Sequence, residues 1–491
     1  MKTTRVSSGI VTLAASILLG AFATGAAAQP VALRKSITQL SPAELASLRK
    51  GFAQMIAWNK APRGSANFKR SLAYWANMHA YFGIGCAGAS GLQAQGMGGL
   101  SAQTATTPDE KATWCTCEHG TIQFLTWHRM YLFYFEKVLQ VAAGDPKLRL
   151  PYWDYESDGH VPVAYRSRTY VNAARRTVAN PLFTASRQAQ LNAGSATLIP
   201  AVVSTSGAMG AATYSSFNGS IEQTPHGAVH CATGVAGCPT GYMGAVPAAG
   251  NDPIFYSHHA NIDRLYECWL KVSPAQRLPA GAQLNASFSF IDGAGTVVSR
   301  KVGDMRTVQQ LAYDYTPGGG CPSSTANPAV FQEQPMEVIP LLGPMQLQPG
   351  TTTIPLRLPA ELRRAAGRGS TEAPAAPARP ATLVLEGVSV DGGAMVEVAL
   401  QASDGRRVPV GVINAFNETA PRHQSMDAAM APAGRKAFDA TSALAAVGGS
   451  EAAQLVLQPT TGVSGGAGGL ETPMEAPRAA VRFSSVRVEL H

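Results

Sequence analysis

The chain has 491 residues, of which 45% are hydrophobic and 14% charged, and its 39 basic and 31 acidic residues give a net charge of +8 at pH 7. This length is typical of two or three domains, and the composition is that of a globular protein, which excludes a disordered or fibrous chain. Basic residues cluster only in short pairs such as Arg175-Arg176. We therefore expect a solvated basic surface and no nucleic-acid partner.

The first 28 residues have the pattern of an export signal. Lys2 and Arg5 precede an apolar run over 10–19, and the three alanines at 26–28 form a small-residue cleavage site. The alternative is a membrane anchor, but the run is shorter than the roughly 20 apolar residues that span a bilayer. We expect an exported protein, periplasmic or extracellular, with no membrane association after the signal is removed.

Four helices are predicted in the first 320 residues. Ser41 and Glu44 form a capping-box pattern ahead of an amphipathic run, which predicts a helix over 42–59. Further helices are expected over 66–82, 122–140 and 254–271, separated by Gly-, Ser- and Thr-rich loops, notably 83–113 and 184–224. This pattern predicts a mainly α domain over 29–320, built as a four-helix bundle with long loops.

The character of the sequence changes after residue 320. Residues 321–382 are interpreted as a connecting segment, and its last part, 365–382, is a linker rich in Ala, Pro and Gly. Residues 383–491 contain apolar or alternating segments punctuated by Gly and Asp, which predict a smaller C-terminal β-sandwich domain. The strand candidates are 382–390, 394–401, 407–416, 454–458 and 481–490.

Histidines lie on the apolar faces of three predicted helices. Leu72, Trp75 and His79 follow one another at spacings of three and four, which places His79 on a buried stripe. His128 and His259 occupy equivalent positions on the third and fourth helices. Burying an imidazole is costly unless it has a partner, so the recurrence favours metal ligation over ordinary core histidines.

A further histidine pair follows Thr224-Pro225, which predicts the start of a short helix. His226 and His230 are then at i and i+4 and face the same side. An all-imidazole site is suited to copper or zinc, and the absence of Glu-x-x-His pairs argues against a di-iron bundle. His160, His423 and His491 have no partner at ligand spacing and are expected at the surface.

Two sequence strings are highly specific. Residues 115–134 read CTCEHGTIQFLTWHRMYLFY, residues 252–265 read DPIFYSHHANIDRL, and Tyr313-Asp314-Tyr315 follows. Over 75–315 the chain resembles the tyrosinase and polyphenol oxidase (catechol oxidase) family of coupled binuclear copper proteins. The resemblance implies two copper ions per chain, with O2 and small phenols as partners. It implies an enzyme that hydroxylates monophenols, oxidises o-diphenols to o-quinones, or does both.

The resemblance also implies a set of metal ligands. His79, His119 and His128 would bind the first copper, and His226, His230 and His259 the second. His259 is preferred to its neighbour His258 because it lies four residues before Asp263 and shares a helical face with Ile262. At most one of these two adjacent histidines is expected to point inward.

Seven cysteines in an exported chain predict disulfides with one cysteine left over. Cys117 lies two residues before His119, and the resemblance implies a thioether between them; a free or disulfide-bonded Cys117 is the alternative. The other six permit three disulfides, for which the expected pairs are Cys231–Cys238, Cys86–Cys115 and Cys268–Cys321.

Three positions are expected to tune the chemistry. Glu222, four residues before His226, matches a carboxylate that orients a proton-accepting water in related enzymes; a capping or surface carboxylate is the alternative. Gly227 stands where many tyrosinases have Asn, which disfavours monophenol hydroxylation. Val246 stands where plant enzymes often have Phe, which widens the entrance and favours monophenols.

Three further expectations concern function. Because the signals at Gly227 and Val246 oppose each other, a tyrosinase is favoured only slightly over an enzyme limited to diphenols. A hemocyanin-like oxygen carrier is the alternative from another functional class. The export signal and the single copper domain favour the enzyme over this carrier. A structural or zinc-binding exported protein is the third hypothesis. The C-terminal domain is expected to shield the copper site, with cleavage in the linker relieving latency.

Overall fold

The computed structural model describes residue 1 and residues 31–80, 105–114, 116–272, 277–321, 337–365, 379–390, 394–416, 434–447, 452–465 and 479–490. The expected export signal, the expected Cys86–Cys115 disulfide, most of the expected linker, His423 and His491 lie outside these ranges. No helix in these ranges is both long and apolar enough to cross a membrane.

The helices of the described residues lie mainly in the first two thirds of the chain. Their bounds are α1 Pro42–Ala57, α2 Ala66–Lys69, α3 Leu72–Ala80, α4 Pro108–Trp114, α5 Phe124–Ala143, α6 Val163–Arg166, α7 Ala189–Ala193, α8 Pro200–Val203, α9 Ser206–Met209, α10 Tyr214–Ile221, α11 Ala228–Thr233, α12 Pro253–Val272, α13 Val308–Leu311, α14 Ala360–Ala365 and α15 Thr441–Val447. A π-helical segment, Glu222–Gly227, joins α10 to α11.

Local sequence signals account for the ends of the main helices. Ser41 Oγ accepts from the Glu44 N–H at 3.3 Å and the Glu44 carboxylate accepts from the Ser41 N–H at 2.8 Å, so the predicted capping box of α1 is present. The helix predicted over 66–82 is instead interrupted after Lys69. Ser71 Oγ caps a new turn by accepting from the Tyr74 N–H, so α2 and α3 are separate helices.

Helices α5 and α12 form the buried centre of the helical region, and both lie close to their predicted positions. Residues of α12 from Pro253 to Glu267 are buried without exception, and α5 is buried along almost its whole length. The residues 184–224, expected to form a loop, contain the short helices α7 to α10, and all but the last residue of α4 lies in the other expected loop, 83–113. Helices α7, α9 and α10 follow a Gln or Thr, and α8 begins with Pro200. Such signals are too brief to register as periodicity.

The strands of the described residues form small sheets in the helical region and larger ones beyond it. Their bounds are β1 Ala32–Arg34, β2 Thr169–Val171, β3 Thr177–Ala179, β4 Ala196–Leu198, β5 Ser287–Ile291, β6 Val297–Lys301, β7 Tyr313–Tyr315, β8 Glu337–Leu342, β9 Met345–Gln346, β10 Thr352–Arg357, β11 Ala381–Glu386, β12 Ser389–Val390, β13 Met395–Ala402, β14 Arg407–Ile413, β15 Lys436–Asp439, β16 Ala452–Thr460, β17 Val463–Gly465, β18 Val481–Phe483 and β19 Ser485–Leu490.

Two four-stranded sheets, in the orders β10-β16-β13-β14 and β15-β11-β19-β8, share one hydrophobic core. This confirms the expected sandwich beside a mainly α region. Its expected start at residue 383 is wrong, however, because β8 pairs with β19 and β10 pairs with β16. The segment 337–358, assigned to the connection, therefore supplies strands to both sheets. The pairing is long-range, which is why the sequence pattern did not reveal it.

The sandwich, here called the sheet region (residues 337–490), contacts the helical region at several points. Strand β17 pairs antiparallel with β4, and Val463 lies opposite Leu198. Met395, Val412 and Phe416 of the sheet region belong to the same hydrophobic core as α1, α5 and α12. The sheet region is thus anchored where β14 ends, directly beside the buried histidines.

Candidate metal centre

The structure contains two groups of four buried side chains. Within each group, one nitrogen or sulfur atom from every side chain lies within 4.8 Å of the others. The first group contains His79, Cys117, His119 and His128. The second contains His226, His230, His258 and His259. Every ligand proposed from the sequence therefore lies in the group expected for it. The six proposed histidine ligands come from α3, the segment before α5, α5 itself, the π-helical turn with α11, and α12.

Backbone carbonyl oxygens fix the ring orientation of four of these histidines. The Nδ1 atoms of His79 and His230 lie 3.0 and 2.8 Å from carbonyl oxygens of Val246 and Met243. Nδ1 of His128 and of His226 each meet the carbonyl four residues earlier, at 2.7 and 3.0 Å. A proton on Nδ1 leaves the lone pair on Nε2, the usual arrangement for a metal-bound histidine.

The opposite ring nitrogens fit a metal. In the described part of the chain, Nε2 of His79, His119, His128 and His226 is buried without a hydrogen-bond partner. Nε2 of His230 lies 3.3 Å from Nε2 of His259. Buried polar atoms are normally satisfied, so lone pairs converging without donors are best explained as ligands, and neutral imidazoles suit copper or zinc.

Burial also keeps the imidazoles neutral. Desolvation lowers the pKa of His79 and of His226 from 6.5 to about 3. It lowers the pKa of His119, His128 and His259 well below the ordinary value, and nearby histidines lower it further. At neutral pH each ring therefore offers a lone pair, and no proton has to leave before a metal binds.

The two groups adjoin. The rings of His128 and His259 are stacked at a centroid distance of 4.6 Å with an interplanar angle of 13°. His79 lies 5.8 Å from His259, and His119 lies 5.9 Å from His226, measured between ring centroids. Two metal ions held by the two groups would therefore be neighbours.

The expectation that at most one of His258 and His259 points inward is wrong. Both are buried and both belong to the second group. The reason is that α12 is surrounded by protein on all sides, so neighbouring positions both face the interior. His258 stacks behind His226, at 5.5 Å and 17°, and lies 5.6 Å from the ring of Tyr155. The absence of charged residues over 253–262 was the signal for an all-round buried helix.

Cys117 is buried and unpaired among the described cysteines, and its Sγ lies 3.4 Å from Nδ1 of His119. The sulfur therefore stands beside the ring with which the thioether is expected. The expected disulfides Cys231–Cys238 and Cys268–Cys321 are both present. The first joins cysteines seven positions apart, directly after His230, and so restrains the end of the helix carrying that ligand.

Glu222 is buried, and its Oε1 accepts a hydrogen bond of 2.6 Å from the N–H of Gly120, next to His119. Its own carbonyl holds His226 Nδ1, so one residue connects the two ligand groups. Val246 is also fully buried, in a 3-10 helix over Val246–Asn251, and its carbonyl orients His79. Gly227 is buried where a side chain would meet Asn414 of the sheet region.

Phe416 is a residue of the site that the sequence analysis did not identify. It follows β14, is 1% exposed, and lies parallel to His230 at a centroid distance of 4.0 Å. It also makes edge contacts with His226 at 5.4 Å and His119 at 6.3 Å. No local pattern marks it, because its position depends on how the sheet region packs against the helical region.

A buried ionic network lies directly behind the histidines. Asp263, one turn after His259, binds Arg129 Nε at 2.5 Å, and Arg129 follows His128. The hydroxyls of Tyr313 and Tyr315 donate to the other carboxylate oxygen of Asp263 at 2.5 and 2.6 Å. Desolvation opposes ionisation of Asp263, but Arg129 and its other partners hold its pKa below the ordinary value. The network fixes α5 against α12 and thereby positions two ligand rings.

Residues 69–197 and 166–272 match the sequence profile of the family described as the common central domain of tyrosinase. A tyrosinase of Hahella sp. (strain CCB-MM4) is 32% identical over 255 residues, which cover 46% of this chain and 52% of the relative. The chloroplastic polyphenol oxidase of Vitis vinifera is 30% identical over 224 residues, covering 40% and 37%. The chain thus matches about half or less of the length of these relatives.

Two solved structures have a similar fold over nearly the whole chain. A latent aurone synthase, described as a polyphenol oxidase, superposes with a TM-score of 0.59 at 18% identity, covering 94% of this chain and 90% of that one. A latent apple tyrosinase gives a TM-score of 0.56 at 18% identity, covering 94% and 98%. The likeness includes the sheet region as well as the helical one.

Proposed function

This chain belongs to the tyrosinase and polyphenol oxidase family, and on that premise we propose that it is a phenol oxidase that uses dioxygen. Two copper ions are its cofactor, and the two histidine groups fit them. The proposed ligands are His79, His119 and His128 for the first ion and His226, His230 and His259 for the second.

The observation that carries the proposal is the convergence of buried Nε2 atoms without hydrogen-bond donors from two adjoining groups. Copper, when bound, supplies the redox chemistry with dioxygen. The chain holds the imidazoles neutral and oriented, excludes water, and positions the phenol. The rings of Phe255 and Phe124, 4.6 Å from His79 and 4.7 Å from His226, provide apolar walls.

Hydroxylation of a monophenol requires the phenol proton to be accepted near the second group. Glu222 is the carboxylate on the π-helical turn that carries His226, and it is the proposed acceptor, acting through a water. Its Oε1 accepts the hydrogen bond of 2.6 Å from the N–H of Gly120, which holds the carboxylate beside both histidine groups. We propose both monophenol and diphenol oxidation, with oxidation of diphenols alone as the second candidate because Gly227 has no side chain to help hold a water.

Two observations support latency: the proposed ligands are at most 5% exposed, and the ring of Phe416 covers that of His230. We propose that the sheet region keeps the enzyme latent by placing Phe416 where a phenol ring would bind. Export of the mature chain and a Cys117–His119 thioether complete the proposal. Mass spectrometry of a peptide containing residues 116–123, which loses two hydrogen masses when the bond forms, tests the thioether.

The function is tested by loading the pure chain with copper and measuring metal content together with quinone formation from catechol and from a monophenol. We expect about two coppers per chain and quinone from both substrates after the sheet region is displaced. His226→Ala should retain about one copper and form no quinone. His160→Ala, a half-exposed histidine outside both groups, is the matched control and should behave as the parent.

Two outcomes separate the alternatives. A chain with two coppers that binds dioxygen reversibly but forms no quinone from catechol, even after displacement of the sheet region, is an oxygen carrier. A chain that takes up zinc and no copper contradicts the proposal altogether. Quinone from catechol with none from the monophenol selects the diphenol oxidase.

A further inference from the structure

The backbone of Gly227 forms a notch in the wall of the second histidine group. A Cβ added at Gly227 would lie 2.7 Å from Oδ1 of Asn414 and 3.4 Å from its Cγ. It would also lie 3.3 Å from the carbonyl oxygen of Glu222. The space that any other residue at 227 would fill is therefore occupied by a side chain from the sheet region, 187 positions further along the chain.

The amide of Asn414 cannot move aside without losing its partners. Its Nδ2 donates to the carbonyl of Gln223 at 2.9 Å, and its Oδ1 accepts from the Phe416 N–H at 3.2 Å. Its backbone carbonyl accepts from Lys436 Nζ at 3.2 Å. Asn414 is 5% exposed, so an amide displaced from these contacts would remain buried and unsatisfied, which is costly.

We propose that Gly227 and Asn414 form a lock that seats the sheet region over the copper site, so that the residue at 227 determines how firmly Phe416 is held. The inference goes beyond the proposed function but rests on the proposed role of Phe416 as a cover. The carboxamide of Asn414 that fills the notch also accepts the hydrogen bond from the N–H of Phe416. A side chain at position 227 would therefore displace the carboxamide that holds Phe416 over the site.

Other glycines also lie close to atoms across the interface between the helical and sheet regions, but Gly227 differs from them in which residues surround it. Gly207 approaches the backbone N of Asp439 at 3.3 Å, measured from an added Cβ, and Gly462 approaches Cβ of Ala232 at 2.8 Å. Neither of these glycines adjoins a proposed ligand in the sequence. Gly227 directly follows His226 and faces the residue that orients Phe416. Docking of the sheet region therefore gives a structural reason for glycine at this position.

The test uses the full chain and a double-mutant cycle of Gly227→Ala and Asn414→Ala. Hydrogen–deuterium exchange of residues 408–416 is measured on the metal-free chain, and quinone formation from catechol is measured on the copper-loaded chain before any proteolysis. Gly219→Ala is the matched control, because Gly219 lies on the preceding helix α10 and an added Cβ there meets nothing within 4 Å. Unfolding midpoints verify that all variants fold.

We expect Gly227→Ala to raise exchange in 408–416 and basal turnover by about fivefold or more, the effect of losing one buried hydrogen bond. Asn414→Ala should also loosen the segment. Adding Gly227→Ala to Asn414→Ala should then change little, because the partner of the clash is gone. Gly219→Ala should match the parent chain.

Equal behaviour of Gly227→Ala and Gly219→Ala, or additive effects in the double variant, would overturn the lock. If Gly227→Ala does not fold, hydrogen–deuterium exchange of residues 408–416 in Asn414→Ala decides the test. Exchange equal to that of the parent chain in this variant also overturns the lock. The exchange arm needs neither copper nor activity. Loosening of 408–416 without quinone from any variant would therefore leave the lock standing and reject the proposed enzyme.

Discussion

The phenyl ring of Phe416 lies face to face with the imidazole of His230, 4.0 Å between centroids and 11° from parallel. His230 is a proposed ligand of the second copper, and Phe416 comes from the sheet region. A substrate phenol that stacks on the same imidazole must therefore replace this ring.

Phe416→Ala should raise the turnover of the intact chain with catechol and leave its copper content at the parent value. The substitution removes the ring that covers His230 but no proposed ligand. Phe416→Leu is the control, since it keeps an apolar cover of similar reach and should remain close to the parent rate. Turnover of Phe416→Ala no faster than that of the leucine variant would contradict closure of the site by this ring.

His258 and His259 should differ in their effect on copper. His259 Nε2 faces His230 Nε2 and its ring lies beside His128, between the two groups, whereas His258 lies behind His226. We expect His259→Ala to lose about one copper per chain and His258→Ala to keep about two. Metal analysis after dialysis distinguishes them, and the reverse result would assign the ligand to His258.

Asp263→Asn should destabilise the protein by about 3–5 kcal/mol, because Arg129 and Arg34 would be left buried with less opposing charge. Asp314→Asn is the matched control. Its carboxylate binds Lys271 in a half-exposed pair, and such pairs contribute less than about 1 kcal/mol. Urea unfolding of the two variants measures the difference, and equal midpoints would show that the buried network is not needed for stability.

The metal-free protein should lose stability as the pH falls below about 6.5, the ordinary pKa of histidine. Burial lowers the pKa of His79 and of His226 to about 3. Between these values the unfolded chain binds protons that the folded chain does not, so stability present above pH 6.5 is lost progressively towards pH 3. Each such histidine contributes up to about 1.4 kcal/mol per pH unit. A urea midpoint that stays constant from pH 7.5 to 5 would contradict this.

A single cut between Ala365 and Arg379 should not release the sheet region. Strands β8 and β10 precede this interval, and they pair with β19 and β16, which follow it. We expect the two fragments to separate on a denaturing gel and to stay together in size-exclusion chromatography, with activity still low. Release of residues 379–491 under native conditions would contradict the pairing.

Short-range patterns were enough to locate the long helices α1, α5 and α12 and the histidines of the site, but not the short helices. The capping box at Ser41, the apolar stripe ending at His79 and the i, i+4 pair His226 and His230 each depend on neighbours within one or two turns. The break between α2 and α3 was missed because the hydrophobic stripe continues across it. A serine cap at Ser71 was the local signal.

Features that depend on distant pairing were not predictable from the sequence in the same way. The second inward histidine, His258, results from protein on every side of α12. The strand β8 joins its sheet through β19, almost 150 residues later. Phe416 and Asn414 reach the site through contacts between the sheet region and the helical region, so neither periodicity nor spacing could relate them to Gly227 or His230.

Strand β4 offers its backbone to β17 over only three residues, Ala196–Leu198, yet that pairing crosses from one region to the other. Complete detachment of the sheet region would leave β4 with an unpaired edge, and such edges template self-association between molecules. An opened enzyme is therefore expected to be less soluble than the closed one unless β17 stays in place while the segment bearing Phe416 swings away. Substrate access and resistance to aggregation are therefore coupled through the pairing of β4 with β17.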